Sequence, residues 1–213
     1  MRFLARLAAT ICALTVAGFA PQAAADPALF TGADLIKNCG DAVTCRTYLS
    51  GLLDADETLS GWNRLPPQFC PQAPQPAEAI WPVIKAFFEA HTDQLPHVAG
   101  SVALIALENG YRCPAGAASA QPALSRYYRG AELNAVCQSF DMCQAFIIGV
   151  MEAHQSLVGW NRIRPMICAP VSAQNRDLIL AVADYVGTHP NDLGYTAGSV
   201  VLLALVTKYP CGR

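Results

Sequence analysis

The chain has 213 residues, 53% of them hydrophobic and 14% charged, with a formal net charge of −2 at pH 7. Lacking any excess of Lys and Arg, it carries no electrostatic footprint for nucleic acid and no polybasic segment for an anionic membrane. Nine cysteines in so short a chain point instead to an oxidising compartment and a disulfide-stapled fold.

Residues 1–25 read as a secretory signal peptide. Arg2 and Arg6 form a basic start, Leu7 to Ala20 an apolar stretch, and Ala23-Ala24-Ala25 a small-residue cleavage site. The apolar stretch falls short of the ~20 residues a membrane-spanning helix needs, so no stable membrane insertion is expected after cleavage. Cys12 leaves with the leader, and an even set of eight cysteines remains. No Leu-x-x-Cys lipobox precedes the cut, so a soluble periplasmic product is expected. Its charge is −4, from 12 basic and 16 acidic residues.

Every remaining cysteine recurs 98 residues later: Cys39, Cys45, Cys70 and Cys113 superpose on Cys137, Cys143, Cys168 and Cys211. The same offset carries Gly61-Trp62-Asn63-Arg64 onto Gly159-Trp160-Asn161-Arg162, His91 onto His189, and Ala99-Gly100-Ser101-Val102 onto Ala197-Gly198-Ser199-Val200. Two copies that keep every cysteine interval obey one geometric constraint. The expected organisation is a module over 26–113, a linker over 114–127 that is small, uncharged and Pro-bounded at first, and a second module over 128–213. The modules are expected to pack with pseudo-twofold symmetry.

Within each module the spacing predicts four helices and no strands, an all-α fold. A short first helix opens at Asp34 or Glu132 and ends near Cys39 or Cys137. The second presents Cys45, Tyr48, Leu49, Leu52, Leu53 and Leu59, echoed by Cys143, Phe146, Ile147, Val150, Met151 and Leu157, at three-and-four spacing. Gly51 and Gly149 interrupt it at a cost of about 1 kcal/mol, which the close approach of another helix would offset. The Gly-Trp-Asn-Arg segment is expected to end this helix, with prolines keeping the chain extended afterwards. The third helix carries Ile80, Trp81, Ile84, Phe87 and Phe88, or Leu178, Ile179, Val182 and Tyr185, and stops at His91 or His189. A short turn leads into a fourth, from about His97 to Asn109 or Tyr195 to Lys208.

This layout selects among the possible cysteine pairings. Cys39 and Cys45 flank one tight turn, whereas a helix of ~15 residues, about 22 Å long, separates Cys45 from Cys70. A bridge needs α-carbons within about 7 Å. An antiparallel hairpin of the last two helices returns Cys113 to Cys70. The expected bonds are Cys39–Cys45, Cys70–Cys113, Cys137–Cys143 and Cys168–Cys211.

The chemistry-bearing residues form no catalytic set. The cysteine spacings are unlike zinc motifs, so no metal and no cofactor is expected. Ser101 and Ser199 lie in Ala-Gly-Ser-Val, a small-residue helix explained by tight packing. His91 and His189 fall at helix C-termini, where they cap free carbonyls. Asp54 and Glu152 hold one acidic position of the second helix, while Asp56 and Glu57 occur only in the first copy; they read as an outer polar face, not a glycosidase pair. The segments Trp62, Asn63, Arg64 and Trp160, Asn161, Arg162 have two readings. Either Trp fills the module core while Asn and Arg cap the helix or stack on the indole, or the segment makes contact with the other module or an external partner.

The spacing Gly-x-x-Leu-x-x-x-Cys (Gly32 to Cys39, Gly130 to Cys137), then Cys-x-x-aromatic-aliphatic-x-Gly (Cys45 to Gly51, Cys143 to Gly149) and a terminal Tyr-x-Cys resembles the Rap/Tai immunity proteins of type VI secretion systems. The resemblance implies an exported, non-enzymatic helical protein that binds and blocks a cell-wall-degrading effector, such as a peptidoglycan amidase. It carries over the disulfide framework and no inhibitory residue. Since family members are mostly single modules often working as dimers, the tandem pair is expected to take the place of a homodimer. The alternative expectation is a periplasmic stress or chaperone-like helical protein.

Overall fold

In the computed structural model the described residues are 29–63, 65–66, 68–114 and 127–212. The expected signal peptide, Arg64 and most of the expected linker lie outside them. The described residues form eight α-helices: α1 (Gly32–Asn38), α2 (Ala42–Asn63), α3 (Ala77–Ala90), α4 (Ala99–Gly110), α5 (Leu133–Val136), α6 (Phe140–Gly159), α7 (Asn175–Thr188) and α8 (Ala197–Lys208). Three short 3-10 turns join them, and no strand occurs among the described residues. The fold is all-α.

The four expected disulfides are all present, with Cα–Cα distances of 4.4 Å (Cys39–Cys45), 4.8 Å (Cys70–Cys113), 4.3 Å (Cys137–Cys143) and 4.9 Å (Cys168–Cys211). The short loops fix α2 to α1 and α6 to α5. The long ones close each α3–α4 or α7–α8 hairpin, where Cys70 N–H also donates to Tyr111 O and Cys168 N–H to Tyr209 O.

α2 is longer than expected and starts before Cys45, at Ala42, because the Asp41 carboxylate accepts from Thr44 N–H (3.0 Å) and caps its first turn. Its end lies within the expected segment. The helix runs through Gly61, Trp62 and Asn63, and Asn63 Nδ2 donates back to Leu59 O at 2.9 Å. Gly-Trp-Asn-Arg therefore ends the helix at its third residue in the first copy. In the second copy α6 ends at Gly159, and Asn161 adopts φ 56° just beyond the Trp160 cap. That left-handed turn, tolerated by Asn, lets Arg162 N–H return to Leu157 O at 2.8 Å.

α2 and α6 lie side by side and make the most extensive helix contact in the molecule. They run in the same direction, since Thr44 near the start of α2 lines one cavity with Asp141 and Gln144 near the start of α6. The expected close approach is realised at both glycines. A Cβ on Gly51 would strike the Phe146 carbonyl, and one on Gly149 would strike the Tyr48 carbonyl and come within 2.8 Å of Leu52 N. α4 packs against α6 of the other half, and α8 against α2. A single continuous core of buried side chains therefore spans both halves, with Tyr48, Leu52, Ala55, Phe146, Val150 and Ala153 among its fully enclosed members.

Candidate functional site

The seam between the halves is built twice. At its first site Glu152 of α6 reaches the start of α4: Gly100 N–H donates to Oε2 at 2.6 Å, Phe30 N–H to Oε1 at 2.7 Å, and the Tyr48 hydroxyl to Oε2 at 2.5 Å. At its second, Asp54 of α2 accepts from Gly198 N–H of α8 at 2.6 Å, with Thr196 and Thr58 hydroxyls also serving the carboxylate. A helix N-terminus presents unpaired N–H groups and a partial positive charge, so an opposing carboxylate is favoured there. The glycines are required by this approach, because a Cβ on Gly100 would stand 2.5 Å from Glu152 Cβ and one on Gly198 2.6 Å from Asp54 Cγ.

The serines of Ala-Gly-Ser-Val complete the pattern. Ser101 Oγ pairs with Ser156 Oγ at 2.8 Å, and Ser199 Oγ with Thr58 Oγ1 at 2.9 Å, both across the seam. The repeated motif is thus an interface signature as much as a small-residue helix. The reading of Asp54 and Glu152 as an outer polar face is overturned, as they are 3% and 0% exposed. Periodicity on one helix marks a polar position; it does not show that another helix brings donors to it.

Burial dominates the ionisation of these groups. It pushes Glu152 up to about 8, against its three donors, and Asp54 up to about 6. Asp56, also buried, is raised to about 7 by burial and by Glu108 beside it, with Arg162 opposing. At the equivalent place in the second copy stands His154, held down to about 4 by burial; its Nε2 accepts from Met166 N–H at 3.1 Å. Asp56 Oδ1 and His154 Nδ1 lack a hydrogen-bond partner.

The two Gly-Trp-Asn-Arg segments have different surroundings. Trp62 is 45% exposed at the end of α2, and Asn63 is exposed beside it, so Trp62 does not fill the core. Trp160 is half-buried against the core, with the Arg162 guanidinium 4.6 Å above its ring. Arg162 then crosses to the first half, where it pairs with Glu108 of α4 at 2.6 Å and donates to Gln68. Asn161 is exposed on the turn. Arg64 falls outside the described residues.

Elsewhere the polar groups serve the scaffold. The His91 ring nitrogen Nδ1 lies 2.9 Å from Phe87 O while the ring stacks on Phe87, and His189 repeats this on Tyr185. Among the described residues, cavities of about 470 Å³ open beside Phe30 and Lys37, about 550 Å³ beside Arg129 and Glu132, and about 340 Å³ beside His154 and Pro165. Ser101, which lines the last, is bonded to Ser156. Among the described residues no group of His, Cys, Asp and Glu could hold a metal ion, and no helix is long and apolar enough to cross a membrane.

No curated protein and no solved structure matches the chain. Residues 129–211, nearly all of the described second half, match the family model of Rap1a immunity proteins.

Proposed function

We propose that the chain is a periplasmic immunity protein that neutralises a cell-wall-degrading, amidase-like effector by occluding its active-site cleft. The match of residues 129–211 to the Rap1a immunity proteins carries this reading. The disulfide framework and the leader-like residues 1–25 support it, since bridges persist in the compartment where such effectors act. The module boundaries expected from the sequence belong to the same proposal: signal peptide, 26–113, linker, 128–213. So does the division of labour in the repeated segment. Trp62 and Asn63, exposed, serve contact with the effector; Arg162, which reaches the first half, and Trp160 beneath it serve contact between modules. Trp exposed on a rigid helix end is the residue type most enriched at binding hot spots.

The test is protection. Cells exporting a cognate peptidoglycan amidase to the periplasm should survive when the full chain is co-exported, and the amidase should co-purify with it. Survival unaffected by the chain, with no hydrolase retained on it from the periplasm of competing bacteria, would overturn the proposal.

A further inference from the structure

We infer that each half of the molecule recognises the other as an unlike partner, and that the positions at which the two copies differ along the seam bar either half from pairing with a second copy of itself. This inference is independent of the proposed function.

The two carboxylate sites occupy equivalent places, yet their occupants differ in a coordinated way. At the first, a long carboxylate (Glu152) meets a Tyr hydroxyl (Tyr48) and a helix start without a hydroxyl (Val98). At the second, a short carboxylate (Asp54) stands where Phe146 has no hydroxyl to give, and Thr196 supplies one at the helix start instead. Each set is divided between the halves: Glu152 answers Tyr48 and Val98 across the seam, and Asp54 answers Phe146 and Thr196. Chain length and donor number are matched only in the unlike pair.

Self-pairing breaks the match on both sides. Two first halves would set Asp54, one methylene shorter, in the place of Glu152, leaving the buried Tyr48 hydroxyl, Phe30 N–H and Gly100 N–H more donors than it can reach. Two second halves would set Glu152 in the place of Asp54, where Phe146 offers no hydroxyl to the longer carboxylate. Buried polar groups left short of partners disfavour both assemblies. A third contact acts against the second alone. The residue equivalent to Glu108 is Val206, so self-paired second halves would leave Arg162 facing an aliphatic side chain.

The experiment has an arm in the intact chain and an arm in a nicked one. In the intact chain, Glu152→Asp should lower the thermal midpoint by at least about 3 °C. Adding Tyr48→Phe and Val98→Thr, which turns the first site into a copy of the second, should recover most of that loss. An unchanged midpoint for Glu152→Asp, or losses that simply add in the triple variant, would overturn the inference. In the nicked arm a protease site placed within residues 115–126 of the full chain is cut, and the protein is unfolded, refolded and weighed by native mass spectrometry. Unlike pairs alone are expected, with like pairs of the first half appearing only in the triple variant. Like and unlike pairs in the proportions of random mixing without those substitutions would refute it.

Discussion

The two repeated segments, Ala-Gly-Ser-Val and Gly-Trp-Asn-Arg, are identical between copies in sequence but not in what surrounds them. Around Ala-Gly-Ser-Val both copies make equivalent bonds across the seam, glycine to carboxylate and serine to hydroxyl. Around Gly-Trp-Asn-Arg one helix runs on and leaves its Trp exposed, while the other turns at Asn161 and folds Arg162 back over its Trp. Identity between repeats therefore marks a shared constraint at the first segment and shared residue types put to different uses at the second. The surroundings decide which.

Substitutions separate the two kinds of segment by size of effect. Gly149→Leu should cost about 3 kcal/mol or more in denaturant unfolding, since the carbonyl of Tyr48 and the N–H of Leu52 are backbone that cannot swing aside. Paired Cys70→Ala and Cys113→Ala, which free the long loop bracing α3 and α4, should cost about 2 kcal/mol or more by the same measurement. Arg162→Ala should cost about 1 kcal/mol, because its ion pair is only partly shielded and Trp160 loses its cover. Trp62→Ala should change stability by no more than about 0.5 kcal/mol, while weakening effector capture at least about tenfold. Equal stability losses at Trp62 and Trp160 would erase the contrast.

A smaller effect, readable in thermal scans against pH, sharpens the account of the seam. Asp54, Asp56 and Glu152 are raised by burial, so the stability linked to their protons is complete below the usual carboxylate range and is lost as pH rises through about 6, 7 and 8. His154 is lowered, so its share is present above the usual His value and is lost as pH falls through about 4. The midpoint should therefore fall between pH 6 and 8.5, and Glu152→Gln should flatten that fall. The stress-protein alternative requires apolar surface, and hence dye binding, to appear on mild acidification, the direction in which the three carboxyls add stability.

Much of this architecture was legible in the sequence, for physical reasons. Cysteine spacing sets loop closure, so the four pairings followed from where helices begin and end. Gly51 and Gly149 announced a helix crossing because nothing else offsets glycine in a helix interior. Asp54 and Glu152 were misread because their donors belong to a helix about 50 residues away in one case and more than 140 in the other. The ends of α2 and α6, at different residues of the same segment, were not told apart because a four-residue identity suggested one local conformation, whereas α6 stops at Gly159, the chain turns at Asn161 and Arg162 reaches Glu108. The coupled differences at Tyr48, Phe146, Val98 and Thr196 carry a signal, visible only once the halves are seen to face each other.

The claim beneath all of this is that the halves are one folding unit held by a shared seam, and hydrogen exchange by mass spectrometry tests it most directly. With Gly149→Ala in α6, amides of α2 and α4 in the first half should lose protection together with those of α6 and α8. First-half amides exchanging as in the unaltered chain, while the second half opens alone, would contradict it.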